Sequence, residues 1–79
     1  MTTTKTKSKY LILIGNNIRK LRTETTGYSQ EDLAFLSGLH RTYISAVERG
    51  ENNISILNLL KIAKVLKVKI AILSDGIDK

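Results

Sequence analysis

Apolar residues recur along this chain at the spacing of short amphipathic helices. Leu11, Ile14, Ile18 and Leu21 fall on one helical face and predict a first helix over roughly Tyr10 to Thr25. Gly15 inside it costs about 1 kcal/mol against Ala, and Thr25-Thr26-Gly27 ends it. Ser29 is a good N-cap with Asp32 three positions on, where a capping-box partner belongs. Leu33 and Leu36 then form the apolar stripe of a short second helix that stops at Ser37-Gly38. A third helix is expected from about Arg41 to Arg49, with Ile44 and Val47 inward and Gly50 as its stop. Ser55 caps a fourth, in which Ile56, Leu59, Leu60, Ala63 and Leu66 line one face, and a last short helix covers about Lys69 to Leu73. The segment Lys67 to Leu73 also has strand propensity, so a β-segment pairing across a dimer competes with that last helix. The expected fold class is all-α, a compact bundle of about five short helices. Residues 1–8 lack periodicity and read as a flexible arm, and residues 9–79 as one domain.

Length and composition narrow the picture. A chain of 79 residues holds one domain, and a core of that size supplies only about 3–5 kcal/mol. With no Cys, no disulfide supplements it, and with one His a structural zinc site is close to excluded. Dimerisation is the remaining common supplement. Leu11 to Ile14 is far too short for a signal-peptide core, and no apolar run approaches the roughly 20 residues of a membrane span. A cytoplasmic protein is expected, with no membrane partner and no cofactor.

The net charge is +6 and unevenly placed. Up to Arg22 the basic residues Lys5, Lys7, Lys9, Arg19, Lys20 and Arg22 meet no acidic one, and beyond it the two signs balance. A one-signed patch attracts a polyanion. The informative stretch is Ser29 to Gly50. Its two helices are joined by only about three residues, Gly38 to His40, which forces a steep crossing. Ala34 is small enough for the crossing point, Gly38 tolerates positive φ, and Leu39 fills the corner. The outward positions of the third helix, His40, Arg41, Thr42, Tyr43, Ser45, Ala46 and Arg49, are short or forked and rich in hydrogen-bonding groups. Arg binds guanine O6 and N7 bidentately, and Thr offers a hydroxyl and a methyl to thymine. An ordinary wet face would carry more Glu and Lys.

The residues Ser29-Gln30-Glu31, Leu33-Ala34, Gly38, Tyr43-Ile44-Ser45 and Val47-Glu48-Arg49-Gly50 resemble the Cro/repressor-type, or Xre, helix-turn-helix family, over about Ile14 to Leu73. The stretch from Gly38 to Ile56 is more narrowly similar to controller proteins of restriction–modification systems, which time endonuclease expression relative to the methyltransferase. The resemblance implies a lambda-repressor-like fold and a sequence-specific transcriptional regulator. It also implies residue roles. Gln30 meets DNA at the start of the second helix, Arg41, Thr42 and Ser45 read bases or phosphates in the major groove, and Tyr43 approaches the backbone or a neighbouring groove. Asn52 and Asn53 follow where phosphate is commonly contacted, and Glu48 pairs structurally with Arg22. The chain departs from the family in two places: Thr23 to Tyr28 is one residue longer than usual, and Asn52 stands where controllers often carry Arg.

Leu57, Ile62, Val65, Val68, Ile70 and Ile72 are an apolar surplus that a monomer cannot bury on every face, and they mark the expected two-fold homodimer interface. The expected partners are duplex DNA with a palindromic operator, a second copy of the chain, and RNA polymerase. Rival readings are an Xre-type antitoxin that also holds a protein partner, and an RNA-binding protein. The second is weakened by the scarcity of aromatics, which number four: Tyr10, Tyr28, Phe35 and Tyr43. An enzyme is the least supported class. His40 has no Cys or second His to work with, and Glu31 and Asp32 are adjacent on a helix and suit its positive end.

Overall fold

The computed structural model describes residues 8–77, and among them every regular element is helical. Helix α1 spans Lys9–Leu21, α2 Gln30–Ser37, α3 Arg41–Glu48, α4 Ile56–Leu66 and α5 Ile70–Leu73. The expected arm lies outside the described residues except for Ser8, which is the N-cap of α1, its hydroxyl accepting from the Tyr10 and Leu11 amides. Ser29 and Asp32 form the full capping box, each backbone N–H donating to the other side chain at 3.0 Å. Ser55 caps α4 by accepting from the Asn58 amide at 3.1 Å. Helix α2 ends on Gly38 at φ 76° and α4 on Lys67 at φ 61°, the single non-glycine residue described in the left-handed region. The segment with strand propensity forms α5 instead, and Asn17 of α1 clamps it by donating to the Leu73 carbonyl at 2.9 Å and the Asp75 carbonyl at 3.0 Å.

The first helix does not run on as a regular helix to Thr25. After Leu21 the chain widens into a π-helical turn, Arg22–Thr26, closed by Gly27 at φ 71°. A π turn is an α-helix with one residue inserted, and it overlaps the segment Thr23 to Tyr28, expected from the sequence to be one residue longer than usual. The threonines satisfy the loosened carbonyls: Thr23 Oγ1 donates to the Arg19 carbonyl at 3.0 Å and Thr26 Oγ1 to the Arg22 carbonyl at 2.7 Å.

Helix α1 packs on α3 and α5, while α2 packs on α3 and α4. The core they enclose is built on Ile18, Leu33, Ile44, Val47, Leu59, Ile62, Leu66 and Leu73. Four expectations are corrected here. Ile62 is fully buried in this core and has no surface to offer a partner. Leu36, Ile56 and Leu60 are 50%, 64% and 46% exposed, so the inward stripes of α2 and α4 are narrower than their apolar residues suggest. About α4 the four buried residues Leu59, Ile62, Ala63 and Leu66 occupy one side, which rotates Leu57 and Leu60 outward, while Ile56 is open as the first residue of the helix. Val65, Val68 and Ile70 are half-buried and already lean on the core, while Leu57 and Ile72 are open, the latter at 47%.

Candidate nucleic-acid interface

Helix α3 is held from below by Ile44 and Val47, which enter the core, and by Glu48. With these on the inner side, a period of about 3.6 residues places Thr42, Ser45, Ala46 and Arg49 on the outer side, with Arg41 and Tyr43 at its edges. His40 is the N-cap residue and makes no side-chain cap, so its ring stays exposed together with Arg41 and Thr42. Among the described residues Arg41 has no carboxylate partner, which leaves its guanidinium free for an anion or a base edge. Asn53 is exposed and Asn52 half-buried in the turn beyond α3, which is tightened by the Ile54 amide donating to the Asn52 carbonyl at 3.0 Å.

Gln30, Ser45 and Arg49, all expected on DNA, are engaged within the protein. Arg49 folds back along α3, donating to Ser45 Oγ and to Glu51 Oε1, the latter at 3.0 Å. Both ends of the Arg49–Glu51 pair are open to water, so it is a weak tie that a phosphate can replace. Gln30 is half-buried and gives an amide hydrogen to Glu48 Oε1 at 3.0 Å. It joins α2 to α3 as well as lying at the start of α2.

Beneath this surface lies the Arg22–Glu48 pair. Arg22 Nε donates to Glu48 Oε2 at 2.6 Å and Nη2 to Oε1 at 2.9 Å, while Nη1 donates to the Tyr28 carbonyl at 2.9 Å. Both residues are buried, Arg22 8% and Glu48 6% exposed. The hydrogen bond to Glu48 outweighs desolvation and holds the Arg22 pKa above its ordinary value. This fork ties the end of α1 to the end of α3 and the start of α2 through one carboxylate, so it fixes the relative placement of the two helices of the turn.

Two features of the site were not foreseen from sequence. Tyr43 is half-buried, and its hydroxyl accepts a hydrogen bond of 3.0 Å from Asn58 Nδ2 in the first turn of α4. Ile56 and Leu60 lie open beside Leu57 instead of in the core. Their i, i+3 and i+4 spacing is a signal for one continuous surface, but it does not say which way the surface faces. Among the described residues no group of His, Asp or Glu could hold a metal ion, and no helix is long and apolar enough to cross a membrane.

Residues 18–73 match the helix-turn-helix family. The chain is 48% identical over 58 residues to the control protein C.BamHI of Bacillus amyloliquefaciens, covering 73% of this chain and 72% of that one. Among solved structures, the restriction-modification controller protein C.AhdI of Aeromonas hydrophila superposes with a TM-score of 0.77 at 49% identity, covering 80% of this chain and 94% of that one. The biofilm regulator SinR, solved in complex with DNA, gives a TM-score of 0.74 at 40% identity and covers 78% of this chain and 98% of that one. The chain therefore belongs to the helix-turn-helix family of transcription regulators, among the restriction-modification controller proteins and not among enzymes.

Proposed function

We propose that this protein is a restriction-modification controller that binds a palindromic operator as a homodimer and sets the timing of a nearby endonuclease gene. The observation that carries the reading is the outward face of α3. Arg41, without a carboxylate partner among the described residues, and an exposed Thr42 stand at the start of a helix whose inner side is fixed in the core and by the Arg22–Glu48 fork. The SinR complex with DNA supports DNA as the polymer met by this fold. Two such helices related by a two-fold axis would enter successive major grooves about 34 Å apart. The face of α2 away from the core, with Phe35 85% exposed one turn beyond Glu31 and Asp32, is where polymerase would be met. For the dimer we take Ile56, Leu57, Leu60 and Ile72, the large apolar residues left open on α4 and α5. Four such side chains in a chain this small need a cover.

Selection of bound duplexes from a randomised library tests the reading. The wild type is expected to enrich a two-fold symmetric motif, and the double variant Arg41→Ala, Thr42→Ala to lose it while staying folded. No enrichment from a folded, dimeric sample would remove specific DNA recognition and favour a protein-binding role, as in an antitoxin. The dimer has its own check. Replacing Leu57 and Leu60 by Glu is expected to remove about 2–3 kcal/mol of association, seen as monomer in sedimentation equilibrium with the helical spectrum unchanged. A dimer of undiminished affinity would place the interface elsewhere.

A further inference from the structure

Tyr43 sits at the edge of the recognition face, and its hydroxyl oxygen is already engaged from behind. Asn58 Nδ2 donates to it at 3.0 Å, across 15 residues of sequence, from the first turn of α4. A tyrosine hydroxyl has one hydrogen to give and lone pairs to receive with. Once the oxygen accepts from an amide N–H, its own hydrogen is directed elsewhere, and the ring is half-buried and packed against the core. The anchor is itself fixed, since the Asn58 backbone is capped by Ser55 Oγ at 3.1 Å. We infer that Asn58 is a specificity-determining positioning residue: it fixes Tyr43 as a hydrogen-bond donor toward DNA, so that this side chain selects acceptors. Those are a phosphate oxygen, guanine O6 or N7, adenine N7 or thymine O4; the amino groups of cytosine and adenine offer no acceptor for this hydrogen.

Asn58 also lies in the same turn of α4 as Ile56, Leu57 and Leu60, which are open on its outer side. The turn that would meet the second subunit therefore holds a side chain of the recognition helix. The inference rests on the DNA-binding reading above, and the test separates the two.

The measurement is equilibrium binding of the full chain to its selected operator and to random duplex, for wild type, Asn58→Ala, Asn58→Asp, Tyr43→Phe and the double variant Tyr43→Phe, Asn58→Asp. Tyr43→Phe removes the outward donor and is expected to lower operator affinity about tenfold. Asn58→Ala frees the hydroxyl and should cost a smaller part of that. Asn58→Asp reverses the bond: the carboxylate takes the tyrosine hydrogen, leaving only lone pairs toward DNA. It should cost more than either, about a hundredfold, part of it from the new negative charge. In the Tyr43→Phe background only that charge effect survives, so the loss from Asn58→Asp should shrink by about tenfold. A role confined to folding would not produce that non-additivity at unchanged thermal stability.

Equal losses from Asn58→Asp in both backgrounds would overturn the inference while leaving DNA recognition intact. If Tyr43→Phe changes nothing while Arg41→Ala abolishes operator binding, Tyr43 makes no donor contact and the inference fails on that ground. If no variant and no duplex shows specific binding, the parent reading is the one that falls.

Discussion

Glu48→Ala is expected to destabilise the fold by about 3–5 kcal/mol, which for a chain of this size is most or all of its stability. Glu48 is the shared acceptor of Arg22 Nε, Arg22 Nη2 and Gln30 Nε2, and both partners of the ion pair lie out of water. Removing the carboxylate leaves a guanidinium with one remaining bond, to the Tyr28 carbonyl. It cannot escape by giving up its proton, because arginine stays charged at any ordinary pH. The sign of its titration agrees. The folded-state pKa of Arg22 is raised, chiefly by the bond to Glu48. A raised pKa contributes stability that is fully present below the unfolded value and fades only in strong alkali, so the penalty should not vary across the neutral range. Urea unfolding at pH 6 and pH 8 would measure it. The paired change Arg22→Met with Glu48→Leu should recover much of the loss, since a buried ion pair replaced by apolar groups is often close to neutral. A loss below about 1 kcal/mol for Glu48→Ala would show the pair behaving as an exposed one.

That the pair decides so much bears on how this sequence encodes its function. The helices of the turn were legible because their signals are local: Ser29 with Asp32 for the start of α2, Gly38 for its end, Ile44 and Val47 for the buried side of α3. The Arg22–Glu48 pair followed from resemblance to the family, not from spacing, since 26 residues separate its ends. Where the reading slipped, the cause was rotation about a helix axis. Helix α4 is apolar on more than one side, so its pattern could not say that Ile62 faces in while Leu60 faces out. Only the packing of α2 and α5 against it settles that. The bond from Asn58 to Tyr43 was illegible for a related reason. It joins two polar residues on different helices, and nothing near either in the sequence marks the other. The extra residue between Thr23 and Tyr28 was visible, but its accommodation as a π turn depends on threonine hydroxyls finding carbonyls one turn back.

Gly15 was legible only as a defect, and the structure turns its expected effect around. On helix propensity alone, Gly15→Ala in mid-helix should stabilise α1 by about 1 kcal/mol. A Cβ at this position, however, would lie 2.4 Å from the Val47 carbonyl oxygen and 2.7 Å from that of Glu48. These are backbone atoms, which no rotamer change can move aside. One turn earlier, Ile12 of α1 fills the equivalent gap in the other direction. A Cβ on Gly50 would meet the Ile12 Cα at 2.8 Å, and Gly50 sits at φ 73° besides. Helix α1 thus lies across the end of α3 at backbone contact, each glycine admitting the other element. To admit a methyl group the two helices must part, loosening Val47 in the core and the fork through Glu48 together. Forced overpacking of this kind commonly costs about 1–3 kcal/mol, and with both carbonyls immobile the upper end is expected here. The net change for Gly15→Ala is then a loss of about 2 kcal/mol after the propensity gain. At about 4–8 °C per kcal/mol for a domain of this size, the melting temperature should fall by about 8–16 °C. Because the shift displaces α3 itself, operator affinity should fall as well, at temperatures where the variant is still folded. A higher melting temperature would mean that α1 and α3 can separate at little cost. The rigid seat of the recognition helix would then have to come from the Arg22–Glu48 fork alone.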